Sequence, residues 1–561
     1  MGTIVSYIQA KNGDTTLKID EYFVHSQYNP IREAQQIAKK HYMPNYAHIV
    51  FGYGCGYVVD ALLEEMQFNE PFIIVDPLFD ENLLTIKKSH EHLHLFNSNV
   101  LSKFEFFLSE LLEDVRTSIK VICLSNYEKV FPEQYKLFLQ KIKDIQNRHR
   151  VNDHTLIRYA QTWQVNIMEN LFTFAQDRNL QDLNKKYSQP VVMVAGGPSL
   201  NKQIPILQDY RDQLIIVAAG STINSLLAAG IEPDYVVSID GGAPNAQHFA
   251  GLQIKNTRLL YSIQNHPDVR DAFQSECYLF DLKGYPLLSK YIQEQLHLKI
   301  PLFEGGGSVA HVAFEIAQFI TTGPIALIGQ DLAYTDNLTH AKHNRHARAI
   351  DEQFIEQMEA FQTKGYNQDD VWTNPIFYSM KLEFEELIKI NYPENEFYNC
   401  TEGGIVLEGY KQISFQDFCQ RYAITPISPT NKEYIKKANF DPKKELAFEI
   451  KQYKKLIQLL TDGLEALAMN RLNAEFENRT IIKLEKVENA VKEILPTVPI
   501  EPITAPITLR TLRGHLPSVN ETKKEAYDRV KNQSKDLYRQ MLDAIKFVKL
   551  NAEDILNKHE Q

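Results

Sequence analysis

Long apolar runs, paired cysteines and an excess of basic residues are all missing from this 561-residue sequence. No run of about 18 apolar residues occurs, and the first residues lack a signal peptide's basic start, so we expect a soluble cytoplasmic protein that binds no membrane. The net charge of -11 offers no overall positive field for nucleic acid. The five cysteines lack CxxC spacing, which argues against a zinc ribbon or a disulfide framework.

The length exceeds one ordinary hydrophobic core, so the chain should divide into about three or four domains. Residues 1–165 have the pattern of a Rossmann-like domain. A predicted strand there ends in Gly52, Gly54 and Gly56, and the next strand ends at Asp76, about 20 residues on. This spacing resembles the nucleoside-binding loop of Rossmann-type methyltransferases. The same glycines also suit a tight packing corner that binds nothing, and both interpretations stay open.

Residues 166–425 predict a second, central domain. Apolar strands are expected at residues 191–195, 214–219, 235–239, 258–263, 277–282 and 325–329, with helical patterns between them. Continuous apolar strands separated by helices predict a parallel sheet with helices on both faces. The predicted fold class is therefore α/β, with two doubly wound parallel-sheet domains followed by an all-α C-terminal domain.

Residues 426–561 should form this helical domain. Apolar stripes at helical spacing begin at Ile450, Leu484 and Tyr527, and each stripe needs a partner to bury it. They pack on each other in a bundle, or they form a groove for a protein partner. The prolines of residues 496–517 predict an extended linker between the second and third stripes.

Glycine-rich or polar segments follow four of the central strands and should meet at one edge of the sheet. Small side chains let backbone N–H groups approach a phosphate, and a fifth segment, GGGS, precedes an expected helix whose N-terminus favours an anion. Together these segments predict a nucleotide site. The candidate nucleotide-binding residues are Gly196, Gly197, Pro198, Ser199, Ser221, Thr222, Asn224, Gly306, Gly307, Ser308 and Gln330.

Three further residues at strand ends are candidates for catalysis. Asp240 suits sugar hydroxyls or Mg²⁺ beside a diphosphate, or else it caps the turn that follows it. Asp331 and Tyr334 belong to the segment GQDLAY, and the tyrosine suits donation of a hydrogen bond to a leaving phosphate.

A cluster of histidines and arginines follows, in the segment THAKHNRHAR. Histidine in general suits the role of a general base, and the spacing of His340, His343 and His346 does not rank them. His340 joins the catalytic candidates. Arg345 and Arg348 suit a carboxylate or a phosphate. Since no cysteine or carboxylate accompanies the histidines at ligand spacing, no metal site is expected.

Five segments carry a family resemblance: VVMVAGGPSLNKQIPIL, VAAGSTINSLLAAGIEPDYVVSIDG, EGGGSVAHVAFEIAQFI, ALIGQDLAYTDNLTHA and FYNCTEGGIVLEG. With them the chain resembles the motility accessory factor (Maf) family of flagellin glycosyltransferases. The resemblance implies inverting transfer of a nonulosonic acid, of the pseudaminic or legionaminic type, from its CMP conjugate to Ser or Thr hydroxyls of flagellin. The resemblance also implies that this modification is needed for flagellum assembly and motility. No cofactor is required, since CMP is a good leaving group, although Mg²⁺ stays open.

The central domain is also similar to bacterial sialyltransferases that use CMP-sialic acid. The turn AGGPS, the helix start GGSVA and the stretch GQDLAY stand where those enzymes form their CMP pocket. The sialyltransferase turn carries an asparagine, whereas this chain has Ala195 and Gly196, so we expect the loop to hold phosphate largely through its backbone. The sialyltransferase pattern also has a second tyrosine that holds the leaving phosphate. This chain has none near Thr339, and His340 is the candidate to replace it.

Two functions from other classes remain open. An archaeal-type pterin pyrophosphokinase would use Asp240 to hold Mg²⁺ and ATP. A non-enzymatic flagellin chaperone would use the C-terminal apolar stripes. The large additional domains favour a protein acceptor over a small pterin.

Overall fold

A computed structural model describes residues 4–44, 46–66, 70–78, 93–99, 101–113, 118–392, 396–427, 440–516 and 521–560. The chain divides into two compact units. The first comprises Met1–Arg158, Leu467–Ile481 and Pro506–Tyr538, and the second comprises Tyr159–Ala466, Ile482–Ala505 and Arg539–Gln561. Residues 426–561 are thus distributed over both units. Within the described ranges, no helix is both long and apolar enough to cross a membrane.

The first unit contains a parallel sheet and a small antiparallel sheet. Its elements up to the helix that leaves it are β1 (Val5–Gln9), β2 (Thr15–Ile19), β3 (Tyr22–Phe23), α1 (Pro30–His41), β4 (Tyr46–Phe51), α2 (Tyr57–Glu65), β5 (Phe72–Asp76), β6 (Leu93–Asn97), α3 (Ser102–Glu113), β7 (Ser118–Cys123), α4 (Tyr127–Val130) and α5 (Pro132–Phe174). The parallel sheet has the order β6-β5-β4-β7, and β1 to β3 form the antiparallel sheet, which the sequence did not predict.

The second unit is built on one ten-stranded sheet. Its elements in the central part of the chain are β8 (Arg178–Asn179), β9 (Val191–Val194), α6 (Leu200–Asp209), β10 (Ile215–Ala219), α7 (Ile223–Ala228), β11 (Tyr235–Ser238), α8 (Ala243–Phe249), β12 (Arg258–Ser262), α9 (Pro267–Asp271), β13 (Cys277–Leu282), α10 (Pro286–Glu294), β14 (Leu302–Phe303), α11 (Val309–Ile320), β15 (Ile325–Ile328), α12 (Glu352–Gln357), β16 (Phe361–Lys364), β17 (Asp370–Thr373), α13 (Pro375–Asn391), β18 (Phe397–Asn399), β19 (Lys411–Gln412) and α14 (Phe415–Tyr422).

The strand order places a crevice between β9 and β15. The order is β14-β13-β12-β11-β10-β9-β15-β18-β19, with β8 beside β13, and every pairing in it is parallel. The chain runs outward from β9 to β14 and then returns to the other side of β9. Such a reversal opens a ligand crevice at the carboxyl ends of the two strands. The predicted α/β class and all six predicted central strands are confirmed.

The C-terminal helices are α15 (Pro442–Met469), α16 (Asn478–Ile494), α17 (Glu501–Gly514) and α18 (Lys523–Glu560). The apolar stripes are buried to different extents. Tyr453 in the first stripe and Val548 in the third are fully buried, whereas in the second stripe, which begins at Leu484, Val487 is the one buried residue. The helical character of this region is confirmed.

The prediction of an extended linker in residues 496–517 was wrong, because most of this segment forms α17; its last residue lies outside the described ranges. Pro502 falls in the first turn, where no backbone N–H is needed, and Pro506 lies inside the helix. An internal proline costs about 3 kcal/mol. Val498, Ile500 and Ile503 are buried at this end of the helix, and each contributes about 2 kcal/mol, which offsets that cost.

Candidate functional site

The crevice between β9 and β15 brings together groups from three separate segments. A Cβ added to Gly196, just after β9, would lie 3.2 Å from the Thr222 hydroxyl, 3.3 Å from Asn344 Nδ2 and 3.9 Å from a ring carbon of His340. The N–H of Ala341 donates to the Gly196 carbonyl at 2.9 Å and fixes the loop after β15 against the turn. Three of the four strand ends that were predicted to meet, those of β9, β10 and β15, therefore lie together in the fold.

Asp331 and Ser199 form the link across this crevice. The Ser199 hydroxyl donates to Asp331 Oδ1 at 2.5 Å, and the Ser199 N–H donates to Oδ2 at 3.1 Å. The carboxylate is 2% exposed, and its burial raises the pKa of Asp331 to about 6 against the opposing effect of the Ser199 hydrogen bonds. Asp331, predicted to be catalytic, thus lies buried with both oxygens bonded to the turn.

The backbone of the AGGPS turn is partly committed to the protein itself. The Gly197 N–H donates to the Gly329 carbonyl at 2.8 Å, and the Ser199 N–H is bonded to Asp331. Pro198 has no N–H and is buried. Gly196 is half-buried, and its N–H finds no acceptor in the part of the chain that the structure describes. One backbone donor of the turn is therefore left for a ligand.

Two other predicted nucleotide contacts, Asn224 and Gln330, differ in whether their side chains have partners within the protein. The Asn224 amide donates to the carbonyls of Ser221 and His248, at 3.1 and 3.2 Å, and so holds the turn after β10 against the end of α8. Gln330 is 5% exposed, and its buried Oε1 has no hydrogen-bond partner within the described ranges.

The GGGS segment already binds a carboxylate group of the protein itself. The Gly307 N–H donates to Glu383 Oε2 at 2.6 Å, and Gly306 is an exposed residue with φ +53°. The Ser308 hydroxyl is 2.9 Å from His311 Nδ1, and burial lowers the pKa of this histidine. As predicted, α11 begins just after Ser308, but a carboxylate of α13 occupies the place expected for a phosphate.

Asp240 follows β11 and is exposed. Its carboxylate has no hydrogen-bond partner among the described residues. The surrounding protein partly shields this carboxylate from water, and this desolvation raises the pKa of Asp240. Its carbonyl, not its side chain, receives the capping bond of the following turn, from Asn245 Nδ2 at 2.8 Å. The proposed capping role is therefore not seen, and the carboxylate remains free for a ligand.

Beside Gly196 the loop after β15 lines a cavity of about 590 Å³. His340 belongs to both the crevice and the cavity wall. The other polar lining side chains are those of Tyr334, Thr339, Arg345, His346, Arg348 and Asn374, and no carboxylate is among them. The cavity is therefore suited to an anionic ligand.

The two arginines of this cavity differ in their partners. Arg345 donates to the carbonyls of Gln247 and, at 3.0 Å, Ala250, and so caps the end of α8. Arg348 is exposed, with its guanidinium 4.6 Å from the centroid of the Phe354 ring. In the described chain this guanidinium has no hydrogen bond and no ion pair, and the residue is tied to Thr339 through its backbone alone. Arg348 is thus the arginine that is free to pair with a carboxylate.

The structure separates the three histidines of the cluster. His340 and His346 line the cavity, with ring centroids 6.2 Å apart, whereas His343 is exposed and lies outside it. Burial, and then the nearby His346, lower the pKa of His340, and its buried Nδ1 has no partner among the described residues. A neutral imidazole of this kind is suited to accept a proton.

Tyr334 is held in the cavity wall by Asn374, whose Nδ2 donates to the tyrosine hydroxyl at 2.5 Å. Because the hydroxyl oxygen accepts this bond, its proton stays available to donate. Sequence reasoning missed Asn374 and Asn344. Asn344 lies inside the THAKHNRHAR segment, so its position beside the histidines was the one available signal.

The backbone N–H groups of the glycine-rich loop in the first unit are hydrogen-bonded to side chains of the same unit. The N–H of Cys55 donates to His25 Nε2 at 2.8 Å, that of Tyr53 to Asp76 at 2.5 Å, and that of Gly54 to the Tyr127 hydroxyl at 3.2 Å. A Cβ on Gly54 would lie 2.4 Å from His25 Nε2. These contacts favour the packing-corner interpretation of this loop.

Comparison with known proteins gives two matches. A family model described as 6-hydroxymethylpterin diphosphokinase MptE-like matches residues 165–337. The solved structure of the MAf glycosyltransferase from Magnetospirillum magneticum AMB-1 aligns with a TM-score of 0.59, at 16% identity, over 99% of this chain and 94% of that chain. No curated protein sequence matches. The chain therefore has the fold of this MAf glycosyltransferase along nearly its whole length, and the predicted resemblance is confirmed at the level of the fold.

Proposed function

We propose that this protein is an inverting glycosyltransferase that moves a nonulosonic acid from its CMP conjugate to Ser or Thr hydroxyls of flagellin. One observation carries the proposal: among the described residues, the Arg348 guanidinium is unpaired and lines a cavity that has no carboxylate, and His340 joins that cavity to the glycine turn at the sheet crevice. A donor with a phosphate and a carboxylate on its sugar matches both ends of this site. The MAf glycosyltransferase likeness supports a sugar-transfer reaction.

In this proposal the phosphate of CMP lies at Gly196 and Thr222, and the sugar extends into the cavity. Arg348 pairs with the sugar carboxylate. His340 accepts the proton of the flagellin hydroxyl as its oxygen attacks the anomeric carbon. The bond to CMP breaks, and Tyr334 donates a hydrogen bond to the departing phosphate. No cofactor takes part in these steps.

The test is intact-mass measurement of flagellin co-expressed with the sugar pathway and this protein. The expected product is flagellin heavier by whole nonulosonic acid residues, and the proposed consequence in the cell is flagellum assembly and motility. Unmodified flagellin in the presence of the intact protein would overturn the proposal. His340→Ala should abolish the added mass, and His343→Ala is the matched control because His343 lies outside the cavity.

The same preparations test the two other functions. A chaperone would preserve flagellin yield when Asp240 and Asp331 are changed to Ala, and flagellin would gain no mass. A pterin pyrophosphokinase would turn over ATP with a pterin alcohol and would leave CMP-sugars intact. The proposal predicts neither result.

A further inference from the structure

The AGGPS turn has too few free donors to bind a phosphate by its backbone alone. The N–H groups of Gly197 and Ser199 are bonded to Gly329 and Asp331, and Pro198 has none. Only the Gly196 N–H is without an acceptor in the described part of the chain. A phosphate bound here therefore needs side-chain donors beside Gly196.

Asn344 is placed to supply one. It is 5% exposed, and its Nδ2 lies 3.3 Å from the point where a Gly196 Cβ would stand. Its Oδ1 accepts the N–H of His346 at 3.0 Å, which fixes the orientation of the carboxamide. The Nδ2 makes a long bond of 3.4 Å to the Ser221 hydroxyl, so one of its two hydrogens is uncommitted.

The Thr222 hydroxyl faces the same point, 3.2 Å from the position of that Cβ. Three donors thus surround one small volume: the Gly196 N–H, the Thr222 hydroxyl and the Asn344 amide. Gly196 is not in the left-handed region. Glycine is therefore not required there by backbone conformation, and its missing side chain leaves room for a ligand beside Asn344.

We infer that Asn344 binds the phosphate of the nucleotide donor and supplies the side-chain hydrogen bond that the glycine turn lacks. The inference rests on the proposed function, because it takes a nucleotide monophosphate as the ligand. A hydrogen bond to a charged group contributes about 1.5 to 3 kcal/mol. Loss of the Asn344 amide should therefore weaken CMP binding by about tenfold to a hundredfold.

The experiment is calorimetric titration of the full-length protein with CMP and with cytidine, which lacks the phosphate. Asn344→Ala should weaken CMP binding and leave cytidine binding unchanged. Asn344→Asp keeps an acceptor for the His346 N–H but replaces the donor with a negative charge, so it should weaken CMP binding further. Asn367→Ala is the matched control, since Asn367 is an exposed asparagine elsewhere in this unit.

An equal loss of CMP and cytidine binding in Asn344→Ala would show a purely structural role and overturn the inference. So would CMP binding that neither Asn344 variant changes. If the unaltered protein binds neither CMP nor a CMP-sugar, the proposed function itself fails.

Discussion

The carboxylate of Asp331 accepts two hydrogen bonds from Ser199, one from its hydroxyl and one from its backbone N–H. This pair joins the loop after β15 to the start of α6 across the sheet crevice. The contact is close enough that a Cβ on Gly197 would lie 2.1 Å from Asp331 Oδ1. The turn is therefore held in one shape before any ligand binds, which reduces the entropy cost of binding.

Two adjacent glycines of this turn should respond differently to the same substitution. Gly197→Ala meets Asp331 and, at 2.6 Å, the Gly329 carbonyl, so backbone must move at a cost of about 1 to 3 kcal/mol. Gly196→Ala meets nothing closer than 3.2 Å. We expect Gly197→Ala to lower the melting temperature clearly and Gly196→Ala to leave it nearly unchanged while weakening CMP binding. Equal melting temperatures for the two variants would contradict this assignment.

The two arginines of the cavity should separate binding from stability. Arg348→Ala removes the unpaired guanidinium, so the KM for the CMP-sugar should rise about tenfold or more. CMP alone has no sugar carboxylate, and its binding should not change. Arg345→Ala removes the cap of α8 and should lower the melting temperature instead. An equal loss of affinity for CMP and CMP-sugar in Arg348→Ala would place the carboxylate elsewhere.

His340 should set the acid limb of the pH profile. Burial lowers its pKa from the usual 6.5, so the neutral form that accepts a proton persists below that pH. We expect kcat to fall only as the pH drops below 6.5, and to be lost in His340→Asn at every pH. His343→Asn is the control and should keep both the rate and the profile of the unaltered protein. A limb that shifts in the control variant would exclude His340 as the base.

Periodicity and strand-end composition predicted the central sheet because its strands are short, nearly continuous apolar runs, as a parallel sheet buried on both faces requires. The sequence could not predict the strand order, which places β15 beside β9 through a crossover of more than a hundred residues. For the same reason, it could not show that Glu383 would fill the anion position at Gly307. Side chains from distant segments, His25 and Tyr127, likewise satisfy the first glycine-rich loop.

Asn344 shows the same limit on a smaller scale. Its neighbours in the chain, His343 and Arg345, could be predicted as candidate site residues because histidine and arginine have ionisable or charged side chains. An amide has neither property, and only its distance from Gly196 identifies it. The sequence also could not show which backbone N–H groups of the turn are already bonded within the protein. Asp331 was expected to face the ligand, whereas in the fold it accepts the N–H of Ser199.

The buried carboxyl of Glu449 should make the second unit less stable as the pH rises. Its two oxygens contact the hydroxyls of Tyr291 and Tyr453, at 2.5 and 2.9 Å, and the side chain is fully enclosed. Burial raises the pKa of Glu449 to about 8, partly opposed by these hydrogen bonds. In the unfolded chain the group ionises near 4.5.

Because the folded pKa is the higher one, the stabilising effect is complete below pH 4.5 and is lost progressively as the pH rises to about 8. Glu449→Gln keeps the shape, stays neutral and can bond both tyrosines, one as donor and one as acceptor. Its melting temperature should therefore fall less than that of the unaltered protein between pH 5 and 8. Glu465→Gln, an exposed change on the same helix, should follow the unaltered protein. Parallel melting curves for Glu449→Gln and the unaltered protein would mean that Glu449 is already ionised in the fold.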